Sequence, residues 1–500
     1  MFRKVLIANR GEIALRVMRA CRERGLRTVA VYSDADANAP HVRFADEAVR
    51  LGPAPPSESY LKIDAILRAA KDTGAEAIHP GFGFLSENAG FAEAVRGAGL
   101  IFIGPSADVV RSMGSKTEAR ALMQRAGVPV VPGTEAGADD QVLIAAAKDI
   151  GYPLMVKASA GGGGKGMRIV REAGALEAAL SAARREAKAA FADDTIFLER
   201  YVERPRHIEF QVFGDEHGNI VHLFERECSI QRRHQKIVEE TPSPALDESL
   251  RQKMGEAAVA AARAVGYTNA GTVELLLGPD GDFYFLEMNT RLQVEHPVTE
   301  LATGIDLVGW QLRIAAGEPL PRKQDELRQL QHAIEVRIYA EDPAAGFLPV
   351  TGTAEYVREP KGPGIRVDGA LESRQEIPIH YDPMLAKLIA WGADRPSAIA
   401  RMKQALADYV VLGVTTNIEF LREVIAHEAF AKGETDTGFI DRNMPSWKPK
   451  SPAPTDEVLL ALAAGESARK SERSGAAGPD DGDRFSPWQT LGPWRPGGAA

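Results

Sequence analysis

Cysteine is nearly absent from this chain: Cys21 and Cys228 are the two in 500 residues. A pair so far apart supports neither a disulfide framework nor a cysteine metal site, and it suits a reducing cytoplasm. No apolar run approaches the roughly 20 residues of a membrane span, so no membrane association is expected. A basic surplus is lacking too. The net charge of −9 and the pI near 5.7 argue against nucleic acid as a partner. The basic pairs Arg184-Arg185 and Arg232-Arg233 are not interleaved with aromatics. No targeting leader is expected, because Met1-Phe-Arg-Lys4 runs straight into the apolar Val5-Leu-Ile-Ala8. Internal repeats are missing as well.

What is present is ordinary globular material, 44% hydrophobic and 26% charged, in a chain long enough for two or three packed units. The first third alternates strand and helix signals: Val5–Ala8, then a helix over Ile13–Arg24 closed by Gly25, then Thr28–Tyr32. Further apolar runs follow at Ala75–Ile78 and Leu100–Ile103. That pattern predicts α/β structure with a parallel sheet, a Rossmann-like N-terminal domain over 1–112. The turn Asn9-Arg10-Gly11-Glu12 has one glycine where dinucleotide binding wants three, so this unit reads as scaffold.

A second unit is expected over 113–325. It holds a strand at Leu154–Ala158, the glycine loop Gly161–Gly166 and a strand at Met167–Val170. A third, β-rich unit is expected over 330–445, with an Ala-rich helix at Ser397–Asp408. From 446 to 500 Pro, Gly, Ser and charge dominate, and one short helical stretch near Asp456–Ala464 interrupts a tail with little core of its own.

The most informative stretch is Glu287-Met-Asn289-Thr-Arg291-Leu-Gln293-Val-Glu295-His296, directly after the apolar Phe283–Leu286. In an extended chain Glu287, Asn289, Arg291, Gln293 and Glu295 would share one face. A solvated strand face explains alternating charge, but it explains less well two amides and an arginine between two glutamates after a core strand. Glu274, in Thr272–Leu277, precedes a turn at Gly278-Pro-Asp-Gly281, and the hairpin would bring it beside Glu287. Two carboxylates with Asn289 offer hard oxygen ligands suited to Mg²⁺ carrying phosphates. Arg291 offers a planar fork for a small oxyanion, and Glu295 a base beside it.

Other residues carry weaker signals. The loop containing Gly162, Gly163 and Gly164 is not a Walker A motif, because Lys165 is followed by Gly166. Its glycines would still let backbone N–H groups approach phosphate, the favoured reading, with a long hairpin turn as the alternative. Lys157, in an apolar strand, needs an anionic partner, either a phosphate or a structural glutamate. Glu199 and Val202 follow an apolar strand whose end could read an adenine edge or merely link two domains. His207, Gln231, His234 and Lys236 are polar residues near apolar segments, and a lone histidine is more often structural. Arg337, in Ala333–Tyr339, either pairs with its strand neighbour Glu335 or waits for a developing oxyanion.

Taken together these residues resemble the biotin carboxylase family of ATP-grasp enzymes. The likeness runs through Lys4–Ile13, His79-Pro-Gly-Phe-Gly-Phe-Leu-Ser-Glu-Asn88, Met113-Gly-Ser-Lys116, Gly161–Gly166, Glu225–Lys236, Glu287–His296 and Tyr381-Asp-Pro-Met-Leu-Ala-Lys387. It implies an ATP-grasp central domain, with a mobile lid over about 131–203, and a biotin carboxylase C-terminal domain. Lys116, Lys157 and His207 would meet the nucleotide, the glycine loop would close over ATP, and Glu199 and Val202 would hold adenine and ribose. Glu274, Glu287 and Asn289 would bind Mg²⁺ or Mn²⁺. Lys236, Arg291, Gln293 and Val294 would hold bicarbonate, Glu295 would deprotonate it, and Arg337 would stabilise the biotin enolate, with Gln231 and His234 also in the site. Phe82 stands where the family usually carries a tyrosine near biotin, which implies an effect on biotin affinity.

The resemblance extends to methylcrotonyl- and propionyl-CoA carboxylase α chains. The carrier's Ala-Met-Lys-Met is not found, since Met402-Lys403 is followed by Gln404. Either the biotin carboxyl carrier is a separate polypeptide or the chain is an α subunit cut short before it. A carboxyltransferase subunit is the other implied partner, within a homodimer or a larger carboxylase complex. Two other readings stay open: an ATP-grasp ligase with another acceptor, and a silent scaffold for carboxylase subunits.

Overall fold

The structure, a computed structural model, describes residues 2–158, 167–191, 193–232, 235–450 and 456–474. Gly162, Gly163, Gly164 and His234 lie outside the described residues, as does the side chain of Lys116. One compact unit spans Met1–Lys448 and a second spans Pro449–Ala500.

Five short runs rich in β-branched and small apolar residues make a parallel sheet: β1 (Lys4–Ile7), β2 (Arg27–Ser33), β3 (Glu47–Gly52), β4 (Ala77–His79) and β5 (Ile101–Phe102), in the order β3-β2-β1-β4-β5. Val5 pairs with Thr28 on one side and Ala77 on the other. Val5, Leu6 and Ile7 are wholly buried because helices cover both faces. The first helix, Gly11–Glu23, packs Ile13, Val17, Met18 and Cys21 inward and begins two residues earlier than its apolar pattern indicates. The strand order reverses between β1 and β4, and ligands of open α/β sheets sit at such switch points. The loops after these two strands meet there: Asn9 Nδ2 donates to the carbonyls of Pro80 (2.8 Å) and Phe82 (2.7 Å).

A small antiparallel sheet, in the order β7-β6-β8, is formed by β6 (Leu154–Ala158), β7 (Arg168–Val170) and β8 (Ile196–Arg200). Helices Asp140–Ile150 and Leu176–Phe191 close its core of Leu143, Leu154, Val156, Leu180, Ile196 and Leu198.

The largest sheet is antiparallel and eight-stranded. It comprises β9 (Arg206–Gly214), β10 (Ile220–Arg232), β11 (Gln235–Thr241), β12 (Asn269–Leu277), β13 (Phe283–Asn289), β14 (His332–Tyr339) and the strands Ile365–Gly369 and Met384–Gly392. β14 pairs directly with β11, Val238 opposite Val336, so one sheet runs from the central part of the chain into its C-terminal part. Ile334, Val336 and Ile338 of β14 join Leu388 and Ala390 in a core closed by the helices Arg395–Asp408 and Ile418–Ala426. The opposite face of the same strands carries Glu239, Glu335, Arg337, Asp368 and Lys387, all buried. Buried charges on one sheet face are costly unless paired, and this face is where the candidate site lies.

The second unit contains a helix at Asp456–Ser474, longer than the short stretch its apolar residues mark. Glu, Ala, Arg and Lys continue past the apolar part, and all are good helix formers. No helix among the described residues is long and apolar enough to cross a membrane.

Candidate active site

The β12–β13 hairpin turns at Gly278–Gly281, closed by Gly278 N–H donating to Asp282 O at 2.8 Å. Its register places Glu274 opposite Glu287 and Thr272 opposite Asn289. The two carboxylates expected side by side are therefore cross-strand neighbours at the edge of the sheet.

Beyond Asn289 the chain departs from the extended face expected of it. β13 ends there, and Arg291–Glu295 form a turn leading into the helix His296–Thr303, whose second residue is Pro297. A proline at a helix start has its φ fixed in the helical range, which favours the helix beginning here. The side chains converge all the same. Arg291 donates to Gln293 Oε1 (2.9 Å), Asn289 Oδ1 (3.1 Å) and Glu87 Oε2 (2.8 Å), while Asn289 Nδ2 donates to Glu274 Oε1 at 2.8 Å.

At the centre, the Lys236 ammonium donates to Glu209 (2.5 Å), Glu274 (2.9 Å) and Glu295 (2.7 Å). Arg337 donates through Nε to Glu239 (2.6 Å) and through Nη2 to the second oxygen of Glu295 (3.0 Å). Glu295 thus lies between an ammonium and a guanidinium, with none of its surface exposed. Arg337 does not take Glu335 as its hydrogen-bonding partner: the Glu335 carboxyl makes no hydrogen bond among the described residues, and burial pushes it well above the usual carboxylate range. Burial alone would also raise Glu295, but Lys236, Arg337 and Arg226 hold it well below that range. Burial outweighs Arg337 at Glu239, which is pushed up to about 7 with Glu295 adding to the rise. For Lys236 the ordering reverses, and Glu209, Glu274 and Glu295 keep its ammonium charged against burial.

The remaining expected residues flank this centre. His207 Nε2 lies 2.8 Å from Glu274, and Gln231 Nε2 donates to His207 Nδ1 at 2.6 Å. Lys157 has a glutamate partner, Glu199, which also receives Arg120 at 2.9 Å. Val202 is half-buried just past β8. Phe82 is half-buried, its ring centroid 5.7 Å from Lys387 Nζ, and Lys387 donates to Val294 O at 2.9 Å.

Glu209, Arg226, Glu239 and Glu87 were not among the expected site residues. Glu209 and Arg226 pair at zero exposure, and a charged residue inside the apolar Ile208–Val212 was the available signal. His207, Glu209 and Glu274 come close enough to share a cation, yet Lys236 already contributes positive charge to that cluster. Glu274, Glu287 and Asn289 offer hard oxygen donors at the sheet edge, a set that fits Mg²⁺.

Three family profiles match in succession: the biotin carboxylase N-terminal domain over residues 1–110, the ATP-binding domain of the carbamoyl-phosphate synthase L chain over 115–323, and the biotin carboxylase C-terminal domain over 335–442. A biotin carboxylase of Halalkalibacterium halodurans is 54% identical over 445 residues, 89% of this chain and 98% of that one. The chain belongs to the biotin carboxylase family. It is also 49% identical over 496 residues to the mitochondrial methylcrotonoyl-CoA carboxylase α subunit of Dictyostelium discoideum, covering 98% of this chain and 70% of that one. Among solved structures, the biotin carboxylase domain dimer of Hydrogenobacter thermophilus 2-oxoglutarate carboxylase, in complex with MgADP, ADP and bicarbonate, superposes with a TM-score of 0.82. It is 46% identical, over 90% of this chain and all of that one. Members of the family thus serve carboxylases with different acceptors.

Proposed function

We propose that this chain carboxylates biotin with bicarbonate at the expense of ATP, the first half-reaction of a biotin-dependent carboxylase. The observation that carries the reading is the position of Glu295, whose two carboxylate oxygens accept separately from Lys236 and Arg337.

Lys157, His207 and Glu199 line the nucleotide side, with Lys116 and the glycine loop contributing phosphate contacts and Val202 the ribose side. Glu274, Glu287 and Asn289 hold Mg²⁺ or Mn²⁺, which when bound neutralises phosphate charge. Arg291, Gln293, Val294 and Lys236 bind bicarbonate, and Glu295 removes its proton. In the free site Glu295 is ionised but a weak base. A bicarbonate anion that shares Lys236 and Arg291 draws positive charge away from Glu295 and strengthens it as an acceptor. The bicarbonate oxygen attacks the γ-phosphorus and releases ADP; the carboxyphosphate so formed breaks down to CO₂ and phosphate. Phosphate takes the N1′ proton of biotin, and Arg337, held rigid by Glu239, stabilises the enolate oxygen as the ring nitrogen attacks CO₂. Phe82 gives biotin an aromatic surface without a hydroxyl, and Gln231, bonded to His207, belongs with His234 among the cofactor-binding residues.

Biotin reaches the site on a carrier domain, and a carboxyltransferase partner selects the acyl acceptor. The chain acts in the cytoplasm as a homodimer or within a larger carboxylase; buried, unpaired Cys21 and Cys228 fit a reducing compartment. The test is ATP hydrolysis by the purified chain with Mg²⁺ and bicarbonate, with and without free biotin. Turnover should need bicarbonate and rise with biotin; turnover indifferent to both contradicts the proposal.

A further inference from the structure

Lys387 is a fully buried cation with no role in the chemistry above. The strand Met384–Gly392 places it in register between Arg337 of β14 and Asp368 of the strand Ile365–Gly369. Its side chain has no exposed surface. Like charges directly opposed across strands destabilise a sheet, and a buried lysine is costly where an apolar residue would pack. A lysine beside Arg337 therefore calls for a reason other than packing.

Its contacts supply one. The ammonium donates to Val294 O at 2.9 Å, lies 3.2 Å from Glu12 Oε1 and 3.9 Å from Asp368 Oδ2, and approaches the Phe82 ring. Val294 sits in the turn between β13 and the helix His296–Thr303, where the first amides bond Gln293 O (3.4 Å) and Glu295 O (3.3 Å). Those bonds leave the intervening carbonyl of Val294 to Lys387. Gln293, which accepts from Arg291, and Glu295, the base, flank that carbonyl. Rotation of the Val294 peptide would swing Gln293 away from Arg291 and Glu274, and Glu295 away from Lys236 and Arg337.

We propose that Lys387 is the positioning residue of the bicarbonate turn: by fixing the Val294 carbonyl it aims Arg291, Gln293 and Glu295 at one point. Glu12, from the helix after β1, and Asp368 balance its charge and tie the turn to the N-terminal sheet and to the large sheet. The inference rests on the assignment of bicarbonate to this turn.

Lys387→Met removes the donor and keeps an unbranched side chain only one atom shorter. In the full chain it should raise the KM for bicarbonate about tenfold, as loss of one bond from a charged donor implies, with the KM for ATP little changed. It also leaves Glu12 buried without its cation, which lowers the melting temperature. The double variant Glu12→Leu/Lys387→Met removes that burden, so melting should recover while the bicarbonate KM stays raised; if the single variant does not fold, the double variant carries the test. A wild-type bicarbonate KM in either variant overturns the proposal, as does a parallel rise in the KM for ATP, because a merely structural role moves both. Wild-type protein serves as the control. If it shows no bicarbonate-dependent ATP cleavage, the reading of the site fails; if it does and the variants match it, only the role of Lys387 fails.

Discussion

The Lys236 ammonium donates to Glu295 Oε1 at 2.7 Å, and this buried pair, with Arg337 and Arg226, holds the carboxylate charged. Lys236 keeps Glu295 ionised against burial, while Glu209 and Glu274 keep Lys236 protonated. Glu295 is therefore charged, though a weak proton acceptor, before any substrate arrives.

Glu295→Gln preserves shape and removes the proton acceptor. Bicarbonate-dependent turnover should fall by roughly 10²-fold or more with the KM for ATP nearly unchanged. Steady-state assays that vary each substrate in turn check this; wild-type turnover would make Glu295 structural.

Glu287→Lys places a cation across from Glu274 at the hairpin edge. Mg-ATP turnover should be lost, and added Mg²⁺ should not restore it. A variant that keeps its activity would put the metal elsewhere.

Stability should peak on the acid side of neutrality. Burial would raise Glu300 and Asp368, but Arg16 and Arg366 at Glu300, and Arg366 and Lys387 at Asp368, hold both well below their ordinary range. Their contribution is present above the unfolded value and is lost as pH falls through the lowered one. Burial pushes Glu12 and Glu239 the other way, each up to about 7. Lys387, Asp368 and Arg366 face Glu12, and Arg337, Glu295, Lys236 and Glu335 face Glu239. Their contribution is full below the unfolded carboxylate value and is lost as pH rises through about 7. Thermal melting across pH should therefore decline on both sides of about pH 4 to 5, near the unfolded carboxylate value. A flat profile from acid to alkaline pH would contradict these environments.

Much of this was legible in the sequence, and the reasons are local. The turn Gly278–Gly281 announced the hairpin that sets Glu274 against Glu287, and the alternation in Ala333–Tyr339 separated Ile334, Val336 and Ile338 from Glu335 and Arg337. Strict alternation failed beyond Asn289, where β13 ends and a turn leads into the helix His296–Thr303; Pro297 was the overlooked signal of that helix start. The partners of the charged residues were less accessible. Glu239 lies 98 residues from Arg337, and Val294 lies 93 residues from Lys387. Such pairings depend on which strands become neighbours, and β11 against β14 is a tertiary fact that no local period encodes.

The separation of the two chemical steps is the account's central claim, and Arg337→Ala tests it most directly. On the proposed reading Arg337 serves biotin's oxygen, whereas carboxyphosphate formation uses Lys236, Arg291 and Glu295. The variant should carboxylate free biotin about 10²–10³-fold more slowly, the loss that follows removal of an oxyanion donor. Bicarbonate-dependent ATP cleavage measured without biotin should fall far less, with circular dichroism unchanged. Equal loss of both activities in a folded variant would contradict the account and make Arg337 part of the bicarbonate pocket through its bond to Glu295.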